Sequence, residues 1–445
     1  MLVNLHTIYG TEFSVSKDDM TFYNKLNDDF LFKKGDKIEI YVAPTRKTMK
    51  LNFKLCHNLL TTPFKTGYAE NLQAYVFKIS IDTKDLRPGF YDLYCEAEFG
   101  TGATALNSCS SKAYCTFGYD IENMENYTVR PDDFDEFWEK TKKKLDGVDL
   151  QLELGEEYTY NSRQINDYNV AEADFPCSYD EEGIVYDEVV ARKISFMSAS
   201  GMRIYGWFAR PKKEGKYPGM MIYPGAGYHS RSMPLEHARH GYAALDIQVH
   251  GQDCDAPKEA YVPTPPLTEH GDYMKPYEFY YNDIYMHTLQ ALNALCALDG
   301  VDTERIVCVG GSQGGRLSTV AAAMDKRVKG IVISIPHFNG QPYLYWAEKM
   351  NEQGNCGETV DYSILDSELM KNIGYYDTTN FAPYIKCPVF CGSGLVDKVS
   401  PISCVMTLFD AIGSKDKTYI PFPMMAHDWN AEFDRAAWRW LEKII

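Results

Sequence analysis

The chain has 445 residues, more than a single hydrophobic core usually serves, so two domains are expected. Hydrophobic residues make up 45% and charged residues 24%, which excludes a disordered chain. A formal net charge of -17 repels phosphate backbones and anionic bilayers, so nucleic acid and membrane are excluded as partners.

Aromatic residues reach 14%, with 33 tyrosines; such an excess suits sugar-stacking surfaces, and tyrosine-rich β-structure explains it equally. No apolar stretch approaches the roughly 20 residues that span a bilayer. The start, "MLVNLHTIYG", lacks the charged head and apolar core of a secretory signal. The 12 cysteines are scattered, and several fall in runs that read as core strands, such as "IVCVGG" and "CPVFCGS". On one strand Cys387 and Cys391 would face the same side about 13 Å apart, too far for a disulfide. Free thiols and a cytoplasmic location are therefore expected, with a trimmed signal left open.

From Met1 to Ile121 short strands alternate with turns: "DKIEIYVAP", "MKLNFKLC", "AYVFKISID", "LRPGFYDLYCEAEF" and "KAYCTFGYDI". Period-two patterning at this spacing predicts a small immunoglobulin-like β-sandwich over 1–121. It carries no catalytic constellation, so it reads as a packing or assembly module, or as a carbohydrate-contacting accessory domain. The character changes at "TVRPDDFDEFWEKTKKKLDGV": Pro131 with Asp132 and Asp133 marks a helix start, and Phe134, Phe137 and Trp138 fall on one helical face. Beyond it, "VVARKISFMSA" and "MRIYGWFARP" read as a hairpin, and "GMMIYPG" and "YAALDIQV" as strands. Then come a helix at "DIYMHTLQALNALCAL", a strand at "RIVCVGG", a helix at "RLSTVAAAM", strands at "VKGIVISIP", "CPVFCGSG" and "KTYIPFP", and a helix at "DRAAWRWLEKII". Alternation of this kind predicts an α/β domain over 122–445, a mainly parallel sheet flanked by helices, with its chemistry at the carboxyl ends of the strands.

Three residues lie at such ends in the order Ser312, in "GGSQGG", then Asp397, in "GSGLVDKVSP", then His427, in "MMAHDWN". A hydroxyl attacks only when an imidazole takes its proton, and the imidazole needs a carboxylate to fix its tautomer. Ser312 stands between a strand and a helix in a G-x-S-x-G turn, the setting of a hydrolase nucleophile; alone, such a serine could merely cap the helix. Asp397 competes with Asp428 for the role of acid, and the side chains of neighbouring residues diverge, which favours Asp397. An oxyanion would be met by the backbone N–H groups of Gln313, just after the nucleophile, and of Ala226, in the glycine-rich "YPGAGYH". Tyr228 and His229 in that segment are candidate substrate-binding residues. In "LEHARH", His237 and His240 lie one helical turn apart beside Glu236, but no H-E-x-x-H is present, so neither a metal nor a cofactor is expected.

From "RPDDFDEFWEKT" to the C-terminus, through "YYNDIYMHTLQALNAL", "VDTERIVCVGGSQGGRLSTVAAAMDKRVKGIV" and "GLVDKVSP", the chain resembles the acetyl xylan esterase and cephalosporin C deacetylase family, the seventh carbohydrate esterase family. The resemblance implies an α/β-hydrolase fold, removal of acetyl groups from sugar or xylo-oligosaccharide esters, no metal and assembly into homo-oligomers. It also implies a Ser312, Asp397, His427 triad with Ala226 and Gln313 as oxyanion donors. The chain departs from the family pattern at "HGQ", His250 to Gln252, where the family has R-G-Q. It departs again at "PGA", Pro224 to Ala226, where the family has H-G-Y, and in having Asp428 and Trp429 after the histidine. Other readings are a prolyl-oligopeptidase-like peptidase or amidase, a generalist esterase, and a non-catalytic sugar-binding or assembly protein.

Overall fold

Alternating apolar residues of the first region close two sheets over one core. The computed structural model describes residues 20–73, 76–99, 110–171, 183–227, 230–260, 273–357 and 362–445. One sheet runs in the order β1 (Met20–Tyr23), β3 (Ile38–Pro44), β7 (Val76–Ile81), β6 (Glu70–Gln73). The other runs β2 (Leu31–Phe32), β9 (Ser110–Tyr119), β8 (Gly89–Phe99), β4 (Thr48–His57), β5 (Lys65–Tyr68). Because successive side chains of a strand point to opposite faces, Ile38, Ile40 and Val42 of β3 meet Leu51, Phe53 and Leu55 of β4 between the sheets.

The helix begun after Pro131 is α1 (Phe134–Lys142), and its buried residues include Phe134, Phe137 and Trp138. Three such aromatic side chains withdrawn from water contribute about 1.5–3 kcal/mol each, which is enough to fasten a nine-residue helix that would be marginal alone. Trp138 also donates from its indole N–H to the Tyr375 carbonyl at 2.8 Å, so burying the ring does not orphan that donor.

The large sheet follows the order β10 (Glu153–Leu154), β12, β13, β15, β14, β16, β17, β18, β19, with β11 (Tyr158–Asn161) beside β12. Its central members are β12 (Glu188–Met197), β13 (Arg203–Pro211), β14 (Tyr217–Tyr223), β15 (Ala243–Gln248), β16 (Val301–Gly311), β17 (Val328–Ser334), β18 (Val389–Gly394) and β19 (Lys417–Phe422). The pairs β12–β13 and β13–β15 are antiparallel, and every pairing from β15 through β14 to β19 is parallel. The exchange of β14 and β15 in this order is a crossover, which places the ends of β14 and β16 side by side. Helices cover both faces, and the strand period of two sorts the residues between them. Met220, Ala244, Val307, Val332 and Phe390 lie under α9 (Ala431–Ile444), while Met221, Leu245, Cys308, Ile331 and Cys391 face the core that includes α4 (Tyr280–Ala297) and α8 (Ile402–Ala411).

Several elements carried no legible pattern. The edge strands β10 (Glu153–Leu154) and β11 (Tyr158–Asn161) are mostly exposed and lack an apolar face. The helical spacing of "LEHARH" falls on α3 (Leu235–Arg239), whereas the short α2 (Ser162–Ala171) and α7 (Glu368–Gly374) carry no legible pattern, nor does the longer α6 (Gln341–Glu352) between β17 and β18. The last of these forms a seat for the β-sandwich. Tyr343 donates to the Asn58 carbonyl at 2.6 Å, Asn351 donates to the Leu59 carbonyl at 3.0 Å, and Leu60, Tyr127, Tyr343 and Trp346 share a core. The sandwich is thus packed onto the α/β half by apolar burial as well as hydrogen bonds. All ten described cysteines are free thiols.

Candidate active site

The stretch "GGSQGG" occupies the junction of β16 with α5 (Gln313–Met324), where Ser312 adopts φ 54° and ψ -116°. This is a region that residues with a Cβ rarely enter, and holding one there costs about 1–3 kcal/mol. Surrounding structure imposes it: the Ser312 amide donates to Ser334 at 2.9 Å, and the Ser312 carbonyl accepts from Arg316 and His337, each at 3.1 Å. Ser312 makes no capping bond to its helix, which removes the helix-cap interpretation of this turn.

The four glycines serve close approach. A Cβ on Gly314 would lie 2.2 Å from the Tyr223 carbonyl oxygen, one on Gly310 2.5 Å from the Gly314 carbonyl carbon, one on Gly311 2.9 Å from the Ser334 hydroxyl, and one on Gly315 3.0 Å from Pro336. Alanine ordinarily favours a helix over glycine by about 1 kcal/mol, but here it would meet a backbone atom that cannot move aside. Gly314→Ala is expected to lower stability by about 1–3 kcal/mol, read as a lower thermal midpoint together with slower ester hydrolysis. An unchanged midpoint would show that the elbow relaxes freely.

Two further loops complete the constellation. His427, on the segment after β19, directs Nε2 to Ser312 Oγ at 3.0 Å and Nδ1 to Asp397 Oδ2 at 2.8 Å. Asp397, on the loop after β18, is fully buried, while His427 keeps 20% of its side chain exposed, so solvent reaches the imidazole and not the acid. The other carboxylate oxygen, Oδ1, accepts from the amides of Val399 at 2.8 Å and Ser400 at 2.9 Å. With those two donors committed to Oδ1, Oδ2 is left to face the ring. A Cβ on Gly394 would fall 1.8 Å from the Met425 carbonyl oxygen, which is how closely the acid loop and the histidine segment abut. Asp428, the competing acid, accepts instead from the amide of Trp429 at 2.8 Å.

Gln313 is the first residue of α5, where a helical N–H has no intrahelical acceptor and is free for a ligand. Ala226 follows β14, whose last residue Tyr223 pairs with Gly310, so its turn runs beside the elbow and is exposed. The Gln313 side chain is used as well: its Oε1 accepts from the Tyr281 hydroxyl at 2.8 Å, and its Nε2 donates to the Gly225 carbonyl at 3.3 Å. That second bond ties the Ala226 turn to the elbow, a role that no sequence pattern announces.

Tyr228 and His229 lie outside the described residues. His250, which stands in place of the family's arginine, is buried with Nδ1 at 2.6 Å from the Tyr280 hydroxyl. Arg231, past the Ala226 turn, makes a two-point pair with Asp246 of β15 at 2.7 and 3.0 Å, and its amide donates to the Cys254 carbonyl at 2.7 Å. His237 and His240 are packed against Trp438 of α9, far in character from a solvent-facing ligand pair. Among the described residues no group of three or more His, Cys, Asp or Glu side chains is placed to hold a metal ion.

Two groups near the triad went unnoticed in the sequence. His337 follows β17, flanked by Ile335 at φ 40° and Phe338 at φ 64°, and its Nδ1 is 3.4 Å from the Ser400 hydroxyl. A histidine just past a strand end was the available signal. The acid loop is also gripped by Tyr114 and Asp92 of the β-sandwich; nothing local in the sequence points there.

A family model described as acetyl xylan esterase (AXE1) matches residues 160–444. The chain is similar to the acetyl esterase Axe7A of Xylanibacter ruminicola, 23% identical over 449 residues, covering 94% of this chain and 89% of that protein. Among solved structures it is similar to an acetyl xylan esterase from Paenibacillus sp. R4, with TM-score 0.54 and 23% identity over 72% of this chain and 96% of that one. Acetyl xylan esterase 1 from Thermoanaerobacterium sp. JW/SL YS485 matches with the same TM-score, 0.54, at 23% identity and the same coverage, 72% and 96%. At this identity the two structures speak for the α/β-hydrolase fold.

Proposed function

Since the chain belongs to the acetyl xylan esterase family and is a carboxylic ester hydrolase, we propose that it removes acetyl groups from sugar or xylo-oligosaccharide esters through an acetyl-enzyme on Ser312. The observation that carries this reading is the pair of bonds from His427, Nε2 to Ser312 and Nδ1 to Asp397. His427 Nε2 takes the proton of Ser312 as Oγ attacks the acetyl carbonyl carbon. The N–H groups of Ala226 and Gln313 receive the oxyanion, at a few kcal/mol for each donor. His427 then returns the proton to the sugar oxygen as the ester C–O bond breaks. Water, deprotonated by the same imidazole, cleaves the acetyl-enzyme and releases acetate. Tyr228 and His229 follow Ala226 in the sequence "YPGAGYH" and are read from it as substrate-binding residues.

A panel of p-nitrophenyl acetate, propionate and butyrate, followed by acetylated xylo-oligosaccharides, tests the substrate. The expected result is acetate release from the sugars and a loss of about ten-fold or more in kcat/KM per methylene beyond propionyl. Equal rates along the acyl series would make the protein a generalist esterase, and cleavage of a peptidyl anilide in preference to the esters would make it a peptidase.

A further inference from the structure

The triad acid lies between two residues that are both held from the β-sandwich. Val396, on its N-terminal side, offers its carbonyl to the Tyr114 hydroxyl of β9 at 3.1 Å. Lys398, on its C-terminal side, sets its ammonium 2.6 Å from Asp92 Oδ2 of β8, with the Tyr114 ring 4.9 Å from the same nitrogen. Asp92 is fully buried and cannot swing: Oδ1 accepts from Asn58 Nδ2 at 3.0 Å and Thr116 Oγ1 at 2.7 Å, and Oδ2 accepts from the Leu59 amide at 3.0 Å. Three donors of its own domain therefore fix the anion before Lys398 is counted. Asn58 in turn accepts from the Ser403 hydroxyl at 2.9 Å, at the start of the helix that follows the acid loop.

We propose that the β-sandwich completes the active site at one remove, with Tyr114, Asp92 and Lys398 as positioning residues that hold the loop Val396–Asp397–Lys398 where Asp397 meets His427. The proposal rests on the hydrolase reading and adds to it a task for the first domain. Adhesion between the domains is already provided by the apolar contacts of Leu60, Tyr127, Tyr343 and Trp346 and by the bonds of Asn351. An ion pair with one partner fully buried and the other largely so is a poor adhesive, because desolvation cancels most of the attraction; what it contributes is geometry. Its location fits that use, since it and the tyrosine bond grip the two neighbours of one catalytic carboxylate. Burial, reinforced by the nearby Asp92 and Asp397, pushes the Tyr114 phenol well above its ordinary ionisation range, so it remains a donor throughout.

The test uses the full chain with Lys398→Met, Lys398→Arg and Tyr114→Phe, and p-nitrophenyl acetate as substrate. Lys398→Met and Tyr114→Phe are each expected to lower kcat about ten-fold or more while KM stays within about two-fold, because a misplaced catalytic group costs rate rather than binding. Lys398→Arg, which keeps the charge, should recover most of the rate. Fluorophosphonate titration must count the same fraction of reactive serines as in the parent. Two results overturn the proposal: parent kcat in both Lys398→Met and Tyr114→Phe, or a fall in kcat matched by the fall in titratable serine, which is lost folding alone. Should Lys398→Met fail to fold, Tyr114→Phe decides, since it deletes one oxygen. A fully active Ser312→Ala would sink the acetyl-enzyme on Ser312 instead, so the two failures are told apart.

Discussion

Purified Ser312→Ala is expected to hydrolyse p-nitrophenyl acetate on the order of 10⁵-fold more slowly than the parent, with no burst of p-nitrophenol and no fluorophosphonate label. The effect is large because the proposed mechanism makes Ser312 Oγ the atom that bonds covalently to the acetyl group. His427, left without it 3.0 Å away, can at best deprotonate water in a position the site was not built to hold. Folding should be unharmed or improved, since alanine at φ 54° carries the same backbone strain as serine and loses no side-chain cap. A variant with parental turnover would show that the ester is cleaved elsewhere and that Ser312 is not the nucleophile.

Asp397→Asn is expected to cost about 10⁴-fold in kcat with little change in KM. The substitution keeps the shape of the side chain and changes the sense of one hydrogen bond. The Val399 and Ser400 amides at 2.8 and 2.9 Å require an acceptor, so the amide oxygen must take the place of Oδ1. Its NH₂ group then faces His427 Nδ1 at a site where a carboxylate oxygen now lies 2.8 Å away. Two donors cannot face each other, so Nδ1 gives up its proton and Nε2 acquires one. An imidazole protonated on Nε2 cannot accept from Ser312. Asp428→Asn, tested alongside, should leave kcat near the parent, because Asp428 faces the Trp429 amide and not the imidazole. If the two variants exchange these behaviours, Asp428 is the acid. The Ser312→Ala, Asp397→Asn double variant should be no slower than Ser312→Ala alone, since the pair acts as a unit.

The strand-end chemistry was legible because each member announces itself locally. Ser312 is flanked by glycines between an apolar strand and a small-residue helix, and Asp397 and His427 each follow an apolar run, so period and turn residues locate all three. The β-sandwich and the alternating region were legible on the same grounds. The exchange of β14 and β15 was not, because a strand's place in a sheet depends on which surfaces meet after folding and leaves no mark in its own residues. The edge strands β10 and β11 lack the alternation that burial imposes. Nor does anything in "GLVDKVSP" say that Lys398 is to face Asp92, 306 residues away. The side chain of Gln313 illustrates a further limit: its backbone N–H was predictable from position in the turn, whereas its bonds to Tyr281 and Gly225 depend on how two distant segments converge.

That separation of 306 residues also fixes an order of assembly. Domains form as units while the chain emerges from the ribosome, the N-terminal one first. Asp92 is then ready as an anion, already satisfied by Asn58, Leu59 and Thr116, long before Lys398 has been made. The newly made acid loop docks onto a finished template, and His427 arrives after it. On this reading a growing chain acquires its reactive serine last in effect though not in sequence: Ser312 is translated 115 residues ahead of His427, and stays inert until that histidine has been made and the acid loop has docked.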